Sequence, residues 1–201
     1  MMTILYPVYH NLYVNMTNRC PCACTFCLRQ NGEGAYGSEP LWLDREPTVE
    51  EVIAAFDEWD LTQFEEIVFC GYGEPTERLD DLLAVASYLK KVHHKTIRIN
   101  TNGMADLIAG EPTAHKLKGL VDVVSISLNS PDEAEYLQVV RPKFGAGSYQ
   151  AMLRYAKDCT AYVPKVVMTV VDEVTTKEEQ EECRKICEQL GATLRVRPYE
   201  N

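Results

Sequence analysis

Three closely spaced cysteines form the pattern in this sequence that most clearly indicates chemistry, Cys20-x3-Cys24-x2-Cys27. Thiolates are the ligands that hold iron–sulfur clusters, and one tight loop can present them to separate irons of a cubane. With three protein ligands, one iron stays open, and a small molecule can bind it directly. The spacing therefore predicts a [4Fe–4S] cluster with an open iron.

Two other interpretations of these cysteines remain open. A zinc site would pair Cys24 and Cys27 with Cys183 and Cys187, which would give four sulfur ligands. The last pair, however, lies at helical spacing on an apolar stripe, which is typical of small core residues. The other interpretation is a chance cluster of structural thiols.

Polar segments lie at the carboxyl ends of three later runs that we interpret as strands. They are Gly71-Tyr72-Gly73-Glu74-Pro75, Asn100-Thr101-Asn102-Gly103 and Ser125-Ile126-Ser127-Leu128-Asn129. In the third segment, Ser127 and Asn129 lie two residues apart, so they share one face of a strand. A fourth segment, 195–200, places Arg197 where its guanidinium can pair with a carboxylate of a cofactor or substrate. Ordinary turns and polar or solvated strand ends are the alternatives at these positions.

The cysteine motif, in which Phe26 precedes the last cysteine, resembles that of the radical SAM superfamily. Segments 71–75 and 100–103 also resemble motifs of this superfamily, in the same order along the chain. The resemblance implies that the open iron chelates the amino and carboxylate groups of S-adenosylmethionine (SAM). One electron from the cluster then cleaves the cofactor, and the 5′-deoxyadenosyl radical abstracts hydrogen from a substrate. The catalytic and metal-binding residues would be Cys20, Cys24 and Cys27. Cys22 occupies an interior position of the spacing and is left unligated, with a disulfide or alternative ligand role still open.

The same resemblance implies which residues bind SAM. Segment 71–75 matches the Gly-Gly-Glu motif, in which Glu74 would accept from the amino group of the cofactor. Segment 100–103 resembles a Thr-Asn-Gly segment of the pyruvate formate-lyase activating enzymes, with Asn100 near the methionine end. The positions of Ser127 and Asn129 are charged in those enzymes, and here neutral side chains would hydrogen-bond the ribose or carboxylate. The expected cofactor-binding set is Gly73, Glu74, Asn100, Ser127, Asn129 and Arg197.

Segments 11–20, 69–76 and 195–200 together look like the small TatD-associated radical SAM proteins, which implies no settled substrate. One alternative function is activation of a glycyl-radical enzyme. An alternative from another class is a non-catalytic zinc or iron–sulfur binding module. The resemblance also implies a low-potential flavodoxin or ferredoxin as electron donor, an unidentified small-molecule, peptide or protein substrate, and sensitivity to oxygen.

These residues need a scaffold, and short β-rich runs alternate with helical patterns along the chain. Strands are predicted at 12–16, 67–70, 97–100, 123–128, 166–171 and 194–196, mostly apolar enough to be buried on both faces. Such alternation implies right-handed crossovers and a parallel sheet, whose carboxyl ends carry the site. Because eight units take about 250 residues, the 201 residues suit six. We expect an α/β fold, an open (β/α)6-type partial TIM barrel, with one domain over 1–201 and a cluster-binding loop over 18–46.

Helix boundaries are also marked. Thr48 and Glu51 form a capping box, Ser130 before Pro131 is expected at an N-cap, and a final helix is expected to end at Gly191. The helix expected over 105–120 is interrupted by glycine and proline.

Composition excludes some classes of function. The net charge of −10 disfavours binding to nucleic acid or anionic membranes. No apolar run approaches the roughly 18 residues of a membrane span, and no signal peptide is evident, so a cytoplasmic location is expected.

Overall fold

The computed structural model of the chain describes residues 2–30 and 32–198. Within them, seven strands form one sheet in which the strand order follows the chain order. The strands are β1 (Leu5–Val8), β2 (Asn11–Val14), β3 (Glu66–Phe69), β4 (Thr96–Thr101), β5 (Val123–Ser127), β6 (Lys165–Val171) and β7 (Thr193–Arg197).

The pairing of the strands confirms the open α/β architecture and adds one strand to it. Strands β2 to β7 pair in parallel and correspond to the six predicted strands. The expectation of six strands in all is wrong, because β1 pairs antiparallel with β2. This strand is short and contains Pro7, which an edge strand tolerates since one row of its backbone groups has no partner.

Six α-helices lie between the strands in the described part of the chain. They are α1 (Val49–Ala55), α2 (Leu79–Val92), α3 (Ala105–Ala109), α4 (Glu133–Val140), α5 (Ser148–Cys159) and α6 (Lys177–Leu190). The capping box of Thr48 and Glu51 begins α1, and Gly191, at φ 81°, ends α6, as predicted. No helix among the described residues is long and apolar enough to cross a membrane.

Two helix predictions need correction. The N-cap of α4 is Asp132, whose carboxylate accepts from the Glu135 N–H at 2.9 Å, and not Ser130. The Ser130 hydroxyl instead accepts from the Asp132 N–H at 3.0 Å and forms the turn before the helix. Segment 105–120 is not one helix, because α3 ends at Gly110 in a left-handed conformation and a separate 3-10 turn follows at Ala114–Leu117.

The two faces of the sheet differ in polarity. Alternate side chains such as Ile97 and Ile99 pack with the helices and are fully buried in the main core. The opposite, concave face carries the residues between them, including Arg98 and Asn100, and Asn100 pairs in register with Ser125. The expectation that the strands are apolar on both faces is therefore wrong for this face, because strand side chains alternate in direction.

Candidate active site

The cysteine loop follows β2 at the carboxyl end of the parallel strands, where active sites of such sheets assemble. Cys20, Cys22, Cys24 and Cys27 are all free thiols and are all half-buried. The loop is therefore accessible to a bound group, and it is fixed by neighbouring segments on both of its sides.

The start of the loop is held by the end of the long glycine-rich segment. Asn18 makes a reciprocal pair with Leu43, its amide donating to the carbonyl at 2.8 Å and its oxygen accepting from the N–H at 3.0 Å. Glu46 accepts from the Thr17 hydroxyl at 2.5 Å and from Arg19 Nε at 2.7 Å. These bonds fix the backbone immediately before Cys20.

Gly73 packs directly against the same stretch of backbone. A Cβ on Gly73 would lie 2.2 Å from the Thr17 carbonyl oxygen and 2.7 Å from that of Arg19. The next residue, Glu74, donates its N–H to the Arg19 carbonyl at 2.7 Å. The lack of a side chain at Gly73 thus lets the loop after β3 dock against the cysteine loop.

The middle of the cysteine loop makes backbone hydrogen bonds with the end of α4 and the residues after it. Ala23 donates its N–H to the Val140 carbonyl at 3.1 Å, and Lys143 donates its N–H to the Pro21 carbonyl at 2.8 Å. No sequence pattern pointed to this contact, because the partners are backbone groups more than a hundred residues away.

The thiol of Cys22 is placed differently from the other three. It lies 3.5 Å from the Asn102 amide nitrogen, which donates to it, and 3.9 Å from the Met104 sulfur. Hydrogen bonds from Cys22 lower the pKa of Cys20 and of Cys24. Cys22 therefore faces inward, toward the loop after β4, and its single S–H can donate to one of its two neighbours at a time.

Burial is the main influence on the remaining cysteine of the motif, since it raises the pKa of Cys27. The guanidinium of Arg29 acts in the opposite direction on Cys20, Cys24 and Cys27. This cation is fixed by stacking 5.0 Å over Trp42 and by donating to a backbone carbonyl. A positive charge thus stands beside the thiols that would become anionic ligands.

The zinc interpretation finds no support among the described residues. Cys183 and Cys187 are fully buried in the main core, on the inner side of α6. No three His, Cys, Asp or Glu side chains in the described ranges converge closely enough to hold one metal ion, and this includes the three cysteines of the motif.

Glu74 is a buried carboxylate with several protein donors. Its Oε1 accepts from the N–H of Thr76 at 3.1 Å and from the hydroxyls of Thr76 and Thr101, both at 2.7 Å. Its Oε2 accepts from the Asn102 N–H at 2.7 Å. Burial raises the pKa of Glu74, and these hydrogen bonds oppose that rise.

The donors to Glu74 were missed as functional residues by sequence reasoning. Thr76, Thr101 and Asn102 join the loops after β3 and β4 through one carboxylate, and Asn102 continues the connection to Cys22. Segment 100–103 was recognised, but only Asn100 was singled out in it.

The remaining expected cofactor-binding residues lie on the concave face or at its rim. Burial raises the pKa of Cys70 and of Tyr13, and interaction with Asn100 opposes the rise. Ser127 is the last residue of β5 and pairs in register with Thr169.

Two of these expected residues have buried polar atoms without a hydrogen-bond partner among the described residues. One is Oδ1 of Asn129, which is 5% exposed and has φ 65°, and the other is Nε of Arg197, the last residue of β7. A buried polar atom left unsatisfied costs about 1–3 kcal/mol, so an acceptor and a donor here favour a bound polar ligand. Tyr199 and Glu200, which follow Arg197, lie outside the described residues.

Comparison with known proteins shows what this chain resembles. The family profile described as the radical SAM superfamily matches residues 14–186. The GTP 3′,8-cyclase of Mycobacterium sp. (strain KMS) is 28% identical over 188 residues, which cover 92% of this chain and 50% of that protein. GTP 3′,8-cyclase 2 of Mycobacterium tuberculosis (strain ATCC 25618 / H37Rv) is 28% identical over 191 residues. The chain thus spans about half the length of the curated relatives it matches.

Solved structures share the fold. A radical SAM methyltransferase from Sphaerobacter thermophilus superposes with a TM-score of 0.62 at 19% identity, over 96% of this chain and 57% of that one. SuiB from Streptococcus suis bound to S-adenosylmethionine superposes with a TM-score of 0.67 at 13% identity, over 94% and 40%.

Proposed function

The chain belongs to the radical SAM superfamily, and from this we propose that Cys20, Cys24 and Cys27 hold a [4Fe–4S] cluster at which SAM is cleaved reductively. The cluster and SAM are the cofactors of this superfamily. We propose further that 1–201 acts as one radical SAM domain, with the cluster-binding loop at 18–46. A low-potential flavodoxin or ferredoxin would supply the electron.

The observation that carries this proposal is the set of three free, half-buried thiols on one loop beside Arg29. Soft thiolate ligands suit an iron–sulfur cluster, and a neighbouring cation offsets part of their negative charge. The backbone of the cysteine loop is fixed from both sides, and binding of the cluster would require the three thiols on it to converge. The donor set therefore fits the proposed cluster.

When bound, the reduced cluster and SAM supply a one-electron cleavage that yields methionine and a 5′-deoxyadenosyl radical, which takes a hydrogen atom from the substrate. The protein binds, orients and shields this chemistry. Asn129 offers a buried acceptor for an ammonium or hydroxyl group, and Arg197 offers a buried donor for a carboxylate.

Glu74 has a positioning role in this proposal as well as a binding one. Its carboxylate fixes Thr101 and Asn102, and through Asn102 it fixes the loop that contacts Cys22. Because Oε2 accepts a single hydrogen bond from the described residues, it retains capacity for a second, such as one from an ammonium group.

The proposal is tested on protein reconstituted with iron and sulfide without oxygen. We expect about four irons per chain, as a cubane cluster requires. We also expect the electron paramagnetic resonance spectrum of the reduced cluster to change when SAM is added, because SAM would bind the open iron. Asn129→Ala should need more SAM for the same change. Iron content near one per chain, or a spectrum that SAM leaves unchanged, would contradict the proposal.

A further inference from the structure

The concave face of the sheet has a second polar region, at the amino ends of the parallel strands and away from the cysteine loop. It contains a cavity of about 260 Å³ that is open to solvent, and its lining includes Glu66, Arg98, Ser125, Lys165 and Arg195. We propose that this cavity binds an oxyanion group of the substrate, a phosphate or a carboxylate. The inference rests on the proposed function, since it assigns a substrate class to the same barrel.

The charge of the lining is opposite to that of the whole chain. Arg98, Lys165 and Arg195 contribute three cations, and Glu66 is the only acidic residue among the described residues of the lining. The net charge of the whole chain is −10. A cavity with a positive excess attracts anions despite the negative protein around it.

Arg98 has donor capacity that the described protein does not use. Its side chain is 12% exposed, and its Nη1 lies 3.0 Å from Oε2 of Glu66. Its Nε is buried and has no hydrogen-bond partner among the described residues. A guanidinium has five N–H donors in a planar fork that matches an oxyanion, so one carboxylate leaves part of the fork available.

The cavity and the proposed cofactor site share one face of the sheet. Tyr13 on β2, Val68 on β3 and Arg98 on β4 lie in register across the sheet, so they share this face. Arg98 and Asn100 are two residues apart on β4, which is about 7 Å along a strand. A substrate whose anionic end is held at Arg98 therefore extends along this face toward the cysteine loop.

The volume limits what the cavity can hold. Pockets that enclose a whole small-molecule ligand are typically about 300–1,000 Å³. A cavity of about 260 Å³ suits an end group and its nearest atoms, with the rest of the substrate in the open part of the face.

The test measures binding of inorganic phosphate and of succinate to the full chain by isothermal titration calorimetry, with no reductant and no SAM. Wild type is compared with Arg98→Gln and Arg195→Gln. The matched control is Arg184→Gln, since Arg184 lies half-exposed on α6 and pairs with Glu181 at 3.3 Å. We expect at least tenfold weaker binding in both cavity variants and unchanged binding in the control. Preference for one probe identifies the substrate group as phosphate or carboxylate.

The outcomes separate this inference from the proposed function. Affinity that is equal in wild type and both cavity variants, or no binding of either probe, would overturn the inference even where SAM is cleaved. Anion binding in a protein whose loaded cluster cleaves no SAM would overturn the function instead. Arg195 is exposed, so Arg195→Gln leaves no buried carboxylate unpaired and stays informative if Arg98→Gln fails to fold.

Discussion

Among single residues, Cys22 offers the sharpest test of which cysteines of the motif bind the cluster. Its sulfur accepts from Asn102 and lies near Met104, whereas the superfamily spacing uses the cysteines on either side of it. We expect Cys22→Ala to retain the iron and sulfide content of wild type after anaerobic reconstitution, and Cys20→Ala to lose most of it. Equal losses in the two variants would assign Cys22 as a ligand and contradict the proposed set.

A single added methyl group tests the docking of the loop after β3. Because a Cβ at Gly73 would lie 2.2 Å from the Thr17 carbonyl, Gly73→Ala must displace backbone. We expect the free energy of unfolding, measured with urea, to fall by about 1–3 kcal/mol, as for other overpacked sites. Gly32→Ala is the matched control, since the nearest atom to its Cβ among the described residues, the Gly34 carbonyl oxygen, would be 3.9 Å away. Similar stability of the two variants would show that the close approach is not needed.

The individual cysteines and polar segments could be predicted from the sequence because their spacing is local. The partners of Glu74 could not, since Thr101 is 27 residues from it and meets it only when β3 and β4 lie side by side. The contact of the cysteine loop with the end of α4 could not be predicted either, because its partners are also distant in sequence.

At the scale of elements, the carboxylate of Glu74 joins two loops that follow neighbouring strands. Glu74→Gln replaces an acceptor oxygen with an amide nitrogen, so a donor such as the Asn102 N–H loses its partner. We expect faster hydrogen exchange of the amides at 101–103 and a free energy of unfolding lower by about 1–3 kcal/mol. Glu50→Gln, at an exposed position of α1, should leave both unchanged. Unaltered exchange in Glu74→Gln would contradict the positioning role.

The capping box of α1 predicts a pH effect of known sign. Hydrogen bonds from Arg45 and from the Thr48 N–H lower the pKa of Glu51 from 4.5 to about 2. Because the pKa is lower in the folded state, the stabilisation is present above pH 4.5 and is lost as the pH falls toward 2. We expect wild type to exceed Glu51→Gln in free energy of unfolding near neutral pH and the difference to shrink across this range. A difference that does not change with pH would contradict the assignment.

Elements with strong local signals matched their predictions better than weakly marked ones. The capping box of α1 and the glycine end of α6 are encoded within a few residues, and both are present. Strand β1 and the start of α4 were missed, because β1 contains Pro7 and depends on pairing with β2, and Asp132 competes with Ser130 as the cap.

At the scale of the whole molecule, the sheet divides the protein into an apolar side and a polar side. The α/β class and the six parallel strands follow from the alternation of strand and helix patterns. The polar concave face was harder to predict from the sequence, although Ile97-Arg98-Ile99-Asn100 alternates in polarity. Short runs such as β3 hide the alternation, since three of its four residues are buried.

The central claim, cleavage of SAM at a cluster held by the cysteine loop, is tested most directly by measuring 5′-deoxyadenosine. Reconstituted protein is incubated with dithionite and SAM without oxygen, and the product is quantified by chromatography. Wild type and Cys187→Ala, which alters a core cysteine, should both form it, and Cys24→Ala should form none. Equal product from Cys24→Ala, or none from wild type whose loaded cluster responds to SAM, would contradict the account.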